Sequence, residues 1–90
     1  MDITEVFEIV NSEVEYAQNL WDKLPRDERP LRDAEKPIEF WVMFIHKYTH
    51  DAMNLCYSTD KTRALEAIRK IAALCVRCME NNETPPRKLL

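Results

Sequence analysis

Apolar side chains recur at helical spacing in three segments of the chain. In the first, they follow one another at steps of three and four residues, and at about 100° per residue they share one stripe, which predicts an amphipathic helix over residues 3–24. Asp2 lies three residues before Glu5, the spacing of a capping box with aspartate as the cap. Pro25 ends the segment. The stripe consists of Val6, Val10, Val14, Ala17, Leu20, Trp21 and Leu24.

The second segment predicts a helix over residues 37–57. Pro37 suits the first turn of a helix, where the missing N–H has no partner to lose. The predicted inner stripe consists of Trp41, Ile45, Tyr48, Ala52 and Leu55.

The third segment predicts a helix over residues 60–81. Ser58, Thr59 and Asp60 are all residue types that cap helix N-termini, and Asn81–Asn82 with Pro85–Pro86 end the pattern. The predicted core face consists of Leu65, Ile68, Ala72, Cys75, Val76 and Met79.

Two charged segments have no apolar period. Residues 25–36 contain Pro25 and Pro30 and predict an ordered or semi-ordered connector, which is long for a compact domain. Residues 85–90 form a basic tail that includes Arg87.

The helical pattern predicts a single all-α domain over residues 1–90. The link between the second and third helices is short, so these helices are expected to form an antiparallel hairpin in a small three-helix bundle. Apolar residues cover more than half of the third helix, which cannot then face water on its far side. We therefore expect other copies to complete the bundle in a homo-oligomer, a dimer or a tetramer.

Composition excludes several classes of function. The chain has no glycine, so it has no glycine-rich phosphate loop, dinucleotide fingerprint or nucleophile elbow. Its 13 basic and 16 acidic residues give a net charge of −3, which disfavours nucleic acid as a partner. The acidic start, the short apolar runs and the odd number of cysteines, three, predict a cytoplasmic protein without a membrane partner.

Glu13 is the most informative residue for function. On the helical wheel it falls inside the apolar stripe of the first helix, near Ala17 and Leu20. A buried carboxylate needs a partner, a metal or a ligand. The alternative is a glutamate that reaches solvent at the edge of the stripe or pairs with a nearby lysine or arginine.

Asp51 lies one step outside the inner stripe of the second helix. It could pair with Lys47, four residues earlier, on the surface. If Asp51 and Glu13 instead face one cleft, their two carboxylates could hold Mg²⁺ together with substrate phosphates.

Histidines and cysteines offer a weaker metal hypothesis. His46 and His50 lie four apart, and Cys75 and Cys78 lie three apart, which supplies the ligand types of a structural zinc site. The wheel places the histidines away from the core and both cysteines within the apolar arc. Packing of buried thiols is therefore the favoured interpretation.

Aromatic and basic residues complete the candidate set. Trp41 and Tyr48 are expected in the core, whereas Tyr16 and Tyr57 lie nearer the edges of their stripes, where a base could stack. The third helix carries a mixed-charge face, which favours exposure to solvent; it consists of Arg63, Glu66, Arg69, Lys70, Arg77 and Glu80. Clamping of phosphates is the alternative for Arg69, Lys70, Arg87 and Lys88.

Several stretches together resemble a known family. They are Glu13–Trp21 (EVEYAQNLW), Phe40–Trp41, Ala64–Leu74 (ALEAIRKIAAL), Cys78–Glu80 and Pro85–Arg87. In pattern and order this chain resembles short, phage-encoded MazG-like proteins from about residue 3 to residue 87.

The resemblance implies an all-α NTP pyrophosphohydrolase that works as a dimer or tetramer, with Mg²⁺ held by acids on two helices. Glu13 would take the first-helix role, and Asp51 would be the final acid of the second-helix motif. The family pattern is Glu-x-x-Glu and Glu-x-x-Asp, whereas Tyr16 follows Glu13 and Tyr48 precedes Asp51 at the matching spacing. Half of the metal set is therefore missing.

The missing acids favour a second class, which this chain resembles in size and helical content: small phage oligomers that sequester nucleotide immune signals without chemistry. The first hypothesis is thus a non-enzymatic nucleotide binder without cofactor, with ligand residues Glu13, Tyr16, Trp21, Lys47, His50, Asp51 and Arg87. The alternatives are a Mg²⁺-dependent pyrophosphohydrolase that uses Glu13 and Asp51, and a module that docks a partner protein.

Overall fold

The part of the chain that the structure describes forms three α-helices of 20 residues each, which confirms the all-α prediction. The computed structural model describes residues 1–25 and 31–88, with the backbone alone of Trp21 and Asp22. The helices are α1 (Ile3–Asp22), α2 (Ile38–Tyr57) and α3 (Lys61–Glu80), and a single 3₁₀ turn, Asp33–Glu35, precedes α2. Each helix begins and ends within two residues of its predicted bounds. No strand occurs in these two ranges.

Side chains fix the helix ends. The Asp2 carboxylate accepts a hydrogen bond from the Glu5 N–H at 2.8 Å, and the Asp60 carboxylate accepts one from the Arg63 N–H at 3.1 Å. At the end of α3, the Asn81 side-chain amide donates to the Arg77 carbonyl at 2.7 Å. These bonds satisfy terminal backbone groups that have no partner within a helix.

The α2–α3 hairpin is antiparallel. The Lys70 ammonium lies 5.8 Å from the centre of the Tyr48 ring, and the Arg77 guanidinium lies 5.4 Å from that of Trp41. Later residues of α3 thus meet earlier residues of α2. The turn between the helices places Thr59 at a φ of 62°, a left-handed conformation that costs a β-branched residue free energy.

The core is small and centres on α3, which contacts both α1 and α2 and packs more extensively with α2. Trp41 is fully buried against α3. The prediction for α2 is confirmed, because Trp41 and Ala52 are buried and the other members of its stripe are half-buried. The remaining buried apolar residues are Val14, Ala64, Ala67 and Ala73.

The predicted core face of α3 is confirmed in part, because Ala72, Cys75 and Val76 are half-buried but the other three members are exposed. Leu65, Ile68 and Met79 keep 65%, 50% and 49% of their surface exposed. The helix instead buries Ala64, Ala67, Ala73 and Arg77, since small side chains let neighbouring helices approach closely. Val6 and Leu20 of the α1 stripe are also largely exposed.

The connector is ordered where it is described. Residues 31–36 contain the 3₁₀ turn, and residues 26–30 lie outside the described ranges. The tail has no helix over residues 84–88, and residues 89–90 also lie outside. None of the described helices combines the length and apolar character that crossing a bilayer requires.

The left-handed Thr59 gives a test of the hairpin. Thr59→Gly is expected to raise the free energy of unfolding by about 1 kcal/mol, because glycine adopts this conformation without a side-chain clash. Thr62→Gly, in the first turn of α3, is the matched control and should lower it, because glycine costs a helix conformational entropy. Thermal melts followed by circular dichroism measure both, and a destabilised Thr59→Gly protein would contradict this account of the turn.

Candidate functional site

A buried arginine ties the connector to α3. Arg77 keeps 5% of its surface exposed and meets the Asp33 carboxylate with two hydrogen bonds, Nε to Oδ2 at 2.9 Å and Nη2 to Oδ1 at 2.8 Å. Lys36 donates to the same carboxylate, Nζ to Oδ1, at 3.0 Å. A bidentate pair of this kind fixes the relative position of both partners. The 3₁₀ turn that carries Asp33 is thereby held against α3.

The electrostatic environment keeps Asp33 ionised. Burial alone would raise the pKa of its carboxyl group, but the hydrogen bonds from Arg77 and Lys36, together with their positive charges, outweigh burial and hold the pKa below its ordinary value. The carboxylate therefore remains charged over the physiological range.

The ring of Trp41 lies beneath both cations. The Lys36 ammonium is 4.8 Å from the ring centre, and the Arg77 guanidinium is 5.4 Å from it. Both distances allow cation–π attraction. The buried indole Nε1 has no hydrogen-bond partner within the described chain. The ring and the Asp33 carboxylate thus hold Lys36 and Arg77 side by side.

A cavity of about 300 Å³ opens beside these cations, between all three helices. We call it the three-helix cavity. Its polar lining consists of Glu13 and Tyr16 from α1, Tyr48 from α2, Lys70 and Arg77 from α3, and Lys36 from the connector. Its apolar lining consists of Ala17, Leu20, Phe44, Ala73 and Leu74. The mixture of aromatic, apolar and a few convergent charged groups is typical of a small-molecule site, and the volume is at the lower end of the usual range.

The cavity carries excess positive charge. Lys36, Lys70 and Arg77 line it, and Glu13 is the one carboxylate among its lining residues. Asp33, which pairs with Lys36 and Arg77, neutralises one of these positive charges, and Arg69, the partner of Glu13, adds another. The four cations and two carboxylates together keep two uncompensated positive charges. Lys70 forms no ion pair with any residue of the described ranges, and its ammonium lies 5.8 Å from the centre of the Tyr48 ring. The chain as a whole has a net charge of −3, so this local excess attracts anions against the overall balance.

Glu13 lies where the wheel placed it, largely buried, but it has a partner. Its Oε2 lies 3.7 Å from Nε of Arg69 on α3, an ion pair too long for a hydrogen bond. The inaccessible Arg69 Nε has no hydrogen-bond partner within the described chain. Glu13 is therefore paired with a nearby arginine, which was one of the alternatives from the sequence. Its carboxylate oxygens can still accept hydrogen bonds from a group in the cavity.

Asp51 lines a second cavity, of about 390 Å³, between α2 and α3. This hairpin cavity shares Tyr48 and Lys70 with the three-helix cavity, and it is otherwise lined by Asn54, Leu55, Arg63, Glu66 and Ala67. Glu13 and Asp51 therefore line neighbouring cavities and not one cleft. Among the described residues, no three histidine, cysteine or acidic side chains are grouped so that they could hold a metal ion.

Three other candidate residues, Lys47, His50 and Arg87, line neither cavity. Lys47 is exposed, with its ammonium 5.4 Å from the centre of the Tyr48 ring, and His50 is exposed beside it. Arg87 is exposed in the tail, and the side chain of Trp21 lies outside the described residues. Sequence analysis missed Asp33 and Lys36, because apolar residues do not recur at a regular spacing in the connector. It placed Arg77 on a solvated face of the third helix. The signal for Arg77 was its position one turn after Ala73, on the alanine side of α3.

Comparison with known proteins adds no relative. No family model, no curated protein and no solved structure matches this chain. The functional argument therefore rests on the geometry of the cavities.

The Asp33 pair predicts a specific pH dependence. Because the pKa of Asp33 is lowered on folding, the pair's contribution to stability is present above the ordinary value of 3.8 and is lost as the pH falls through the folded value. Asp33→Asn should lower the free energy of unfolding at pH 7 by about 3 kcal/mol, since it leaves a buried arginine without a counter-charge. Urea titrations at pH 7 and at pH 3 measure this, and the difference from wild type should shrink at pH 3. Glu35→Gln, on the exposed side of the same turn, is the control and should change neither value.

Proposed function

We propose that this protein binds a nucleotide or a nucleotide-derived signal in the three-helix cavity without chemical change. The observation that carries the proposal is the combination of two tyrosine rings, three cationic side chains and one carboxylate around a single cavity of small-molecule size. A nucleotide presents the matching groups: a flat base, hydrogen-bond donors on the base or ribose, and phosphate oxygens.

The cations account for the phosphate part of the ligand. Arg77 and Lys36 are already ordered by Asp33 and Trp41, so they lose little freedom when an anion binds. Lys70 forms no ion pair within the described residues, although Asp51 and Glu66 line the hairpin cavity with it, and its ammonium lies at the border of the two cavities. Charge-assisted hydrogen bonds to phosphate are about twice as strong as those between neutral groups.

The aromatic rings and Glu13 account for the base. Tyr16 is exposed at the mouth of the cavity and Tyr48 lines its wall, so either ring can stack on a base. The Glu13 carboxylate accepts hydrogen bonds only, which selects a ligand that presents N–H or O–H groups. Of the seven ligand residues expected from the sequence, Glu13 and Tyr16 line this cavity, and Asp51 lines the neighbouring one.

Stoichiometric sequestration is the form of activity that these residues favour. A pyrophosphohydrolase that works through Mg²⁺ would need clustered carboxylates, whereas Glu13 pairs with Arg69 and Asp51 lines the other cavity. No observation in the described chain favours the enzyme over the binder. The likeness to phage proteins extends the proposal to capture of an immune signal in a host cytosol.

Two lysines that flank the same ring provide a matched test. Lys70→Met should weaken nucleotide binding at least about tenfold, because it removes a cavity cation. Lys47→Met should leave the affinity unchanged, since Lys47 lies over the same ring but lines neither cavity. Isothermal titration against a panel of nucleoside mono-, di- and triphosphates measures both. Equal losses in the two variants would argue against the cavity as the site.

Glu13→Gln tests the base contact separately. The variant should bind nucleotides about fivefold to tenfold more weakly, because one acceptor oxygen is replaced by an amide donor. Its affinity for inorganic pyrophosphate should not fall, whereas Lys70→Met should weaken both ligands. Circular dichroism monitors folding, and an unchanged nucleotide affinity would remove Glu13 from the site.

A consumption-and-release experiment separates binding from catalysis. The protein is incubated with Mg²⁺ and the nucleotide panel and then filtered, and both the filtrate and the heated retentate are analysed by chromatography. The binder should deplete one compound from the filtrate and release it intact on heating. A cleaved product whose formation stops with EDTA would establish the pyrophosphohydrolase instead.

A further inference from the structure

The side of the α2–α3 hairpin that faces away from the cavities is apolar and uncovered. Three residues of each helix, all about half exposed or more, form this surface, which we call the back face: Ile38, Val42, Met53, Leu65, Ile68 and Met79. On a helical wheel, at about 100° per residue, the three residues of α2 point roughly 140–180° away from the direction of Asp51. The three residues of α3 point away from the direction of Lys70 by the same angles. Asp51 and Lys70 line the same cavity, so the six residues share the opposite side of the hairpin.

The spacing on α3 is that of a helix-packing seam. Leu65, Ile68, Ala72, Cys75 and Met79 alternate steps of three and four residues over two heptads. This is the pattern by which side chains of one helix insert between those of another. α1 and α2 cover two other sides of α3, so among the described elements no helix packs on the side that carries the seam.

The exposed surface of the single chain is large for its mass. Its accessible surface is 7586 Å², whereas a monomeric protein of 10.7 kDa exposes about 5,500 Å². Its radius of gyration is 14.7 Å, against about 12 Å for a compact domain of this length. The excess of roughly 2,000 Å² exceeds the about 800 Å² that each partner buries in a stable interface of standard size.

We infer that a second copy of this chain covers the back face, and that the two hairpins pack as a four-helix bundle. The six residues include no charged side chain, although Lys61, in the first turn of α3, lies on the same side of that helix. A mainly apolar patch can pack against a copy of itself, as a two-fold interface requires. Thr49 lies within this side of α2, and its hydroxyl donates to the Ile45 carbonyl at 2.7 Å, so it can be buried without an unpaired donor. The inference is independent of the proposed function, because both cavities lie on the other side of the hairpin.

Two adjacent residues of α2 test the inference. Val42 and Met43 are 58% and 65% exposed, but they point about 100° apart, and Val42 alone belongs to the back face. Light scattering after gel filtration, under reducing conditions and at about 100 μM protein, should give wild type a mass of twice 10.7 kDa or a multiple of that. Val42→Glu should halve the mass, and Met43→Glu should leave it unchanged.

Three results would overturn the inference. They are a wild-type monomer, an assembly that remains intact in Val42→Glu, and an assembly that both Val42→Glu and Met43→Glu disrupt. If Val42→Glu does not fold, the wild type still decides: its melting temperature should rise with protein concentration, because association stabilises only the folded chain. A melting temperature that is independent of concentration over a hundredfold range would contradict the second copy.

Discussion

The ion pair between Asp33 and Arg77 determines how the rest of the site is arranged. A buried guanidinium needs a counter-charge, and Asp33 supplies one through two hydrogen bonds across 44 residues of sequence. That contact draws the connector onto α3 and brings Lys36 beside Arg77 over the Trp41 ring. The cationic wall of the three-helix cavity is a consequence of this arrangement. Without Asp33, the same basic residues would repel each other and turn toward solvent.

Local pattern was enough to predict the helices and the inner side of α2. A large ring and four further apolar residues mark one stripe there, and Trp41 is the centre of the core. The prediction failed for half of the α3 face, because Leu65, Ile68 and Met79 are exposed whereas three alanines of this helix are buried. Hydrophobicity alone ranks Leu65 above Ala64, whereas close packing of two helices favours the smaller residue. The larger residues are on the side where the chain lacks a neighbour.

The candidate site was predictable only in part, for a related reason. Glu13 is conspicuous because it interrupts an apolar stripe, and it does line the cavity. Its partner Arg69 and the Asp33 cluster depend on contacts between distant segments, which no periodicity encodes. Sequence reasoning chose the exposed residues Lys47, His50 and Arg87 and kept Lys70 only as an alternative phosphate contact. The basic residues that line the three-helix cavity are Lys36, Lys70 and Arg77. The hairpin thus has two different sides, one charged and concave, the other apolar.

The most direct test of the account is an NMR titration of the ¹⁵N-labelled protein with the nucleotide that it retains most tightly. Binding in the three-helix cavity predicts that the largest shifts occur at the amides of Glu13, Tyr16 and Ala17 on α1 and of Ala73 and Leu74 on α3. Shifts centred on Asn54 and Arg63, which line the hairpin cavity alone, or on the exposed tail would contradict the central claim.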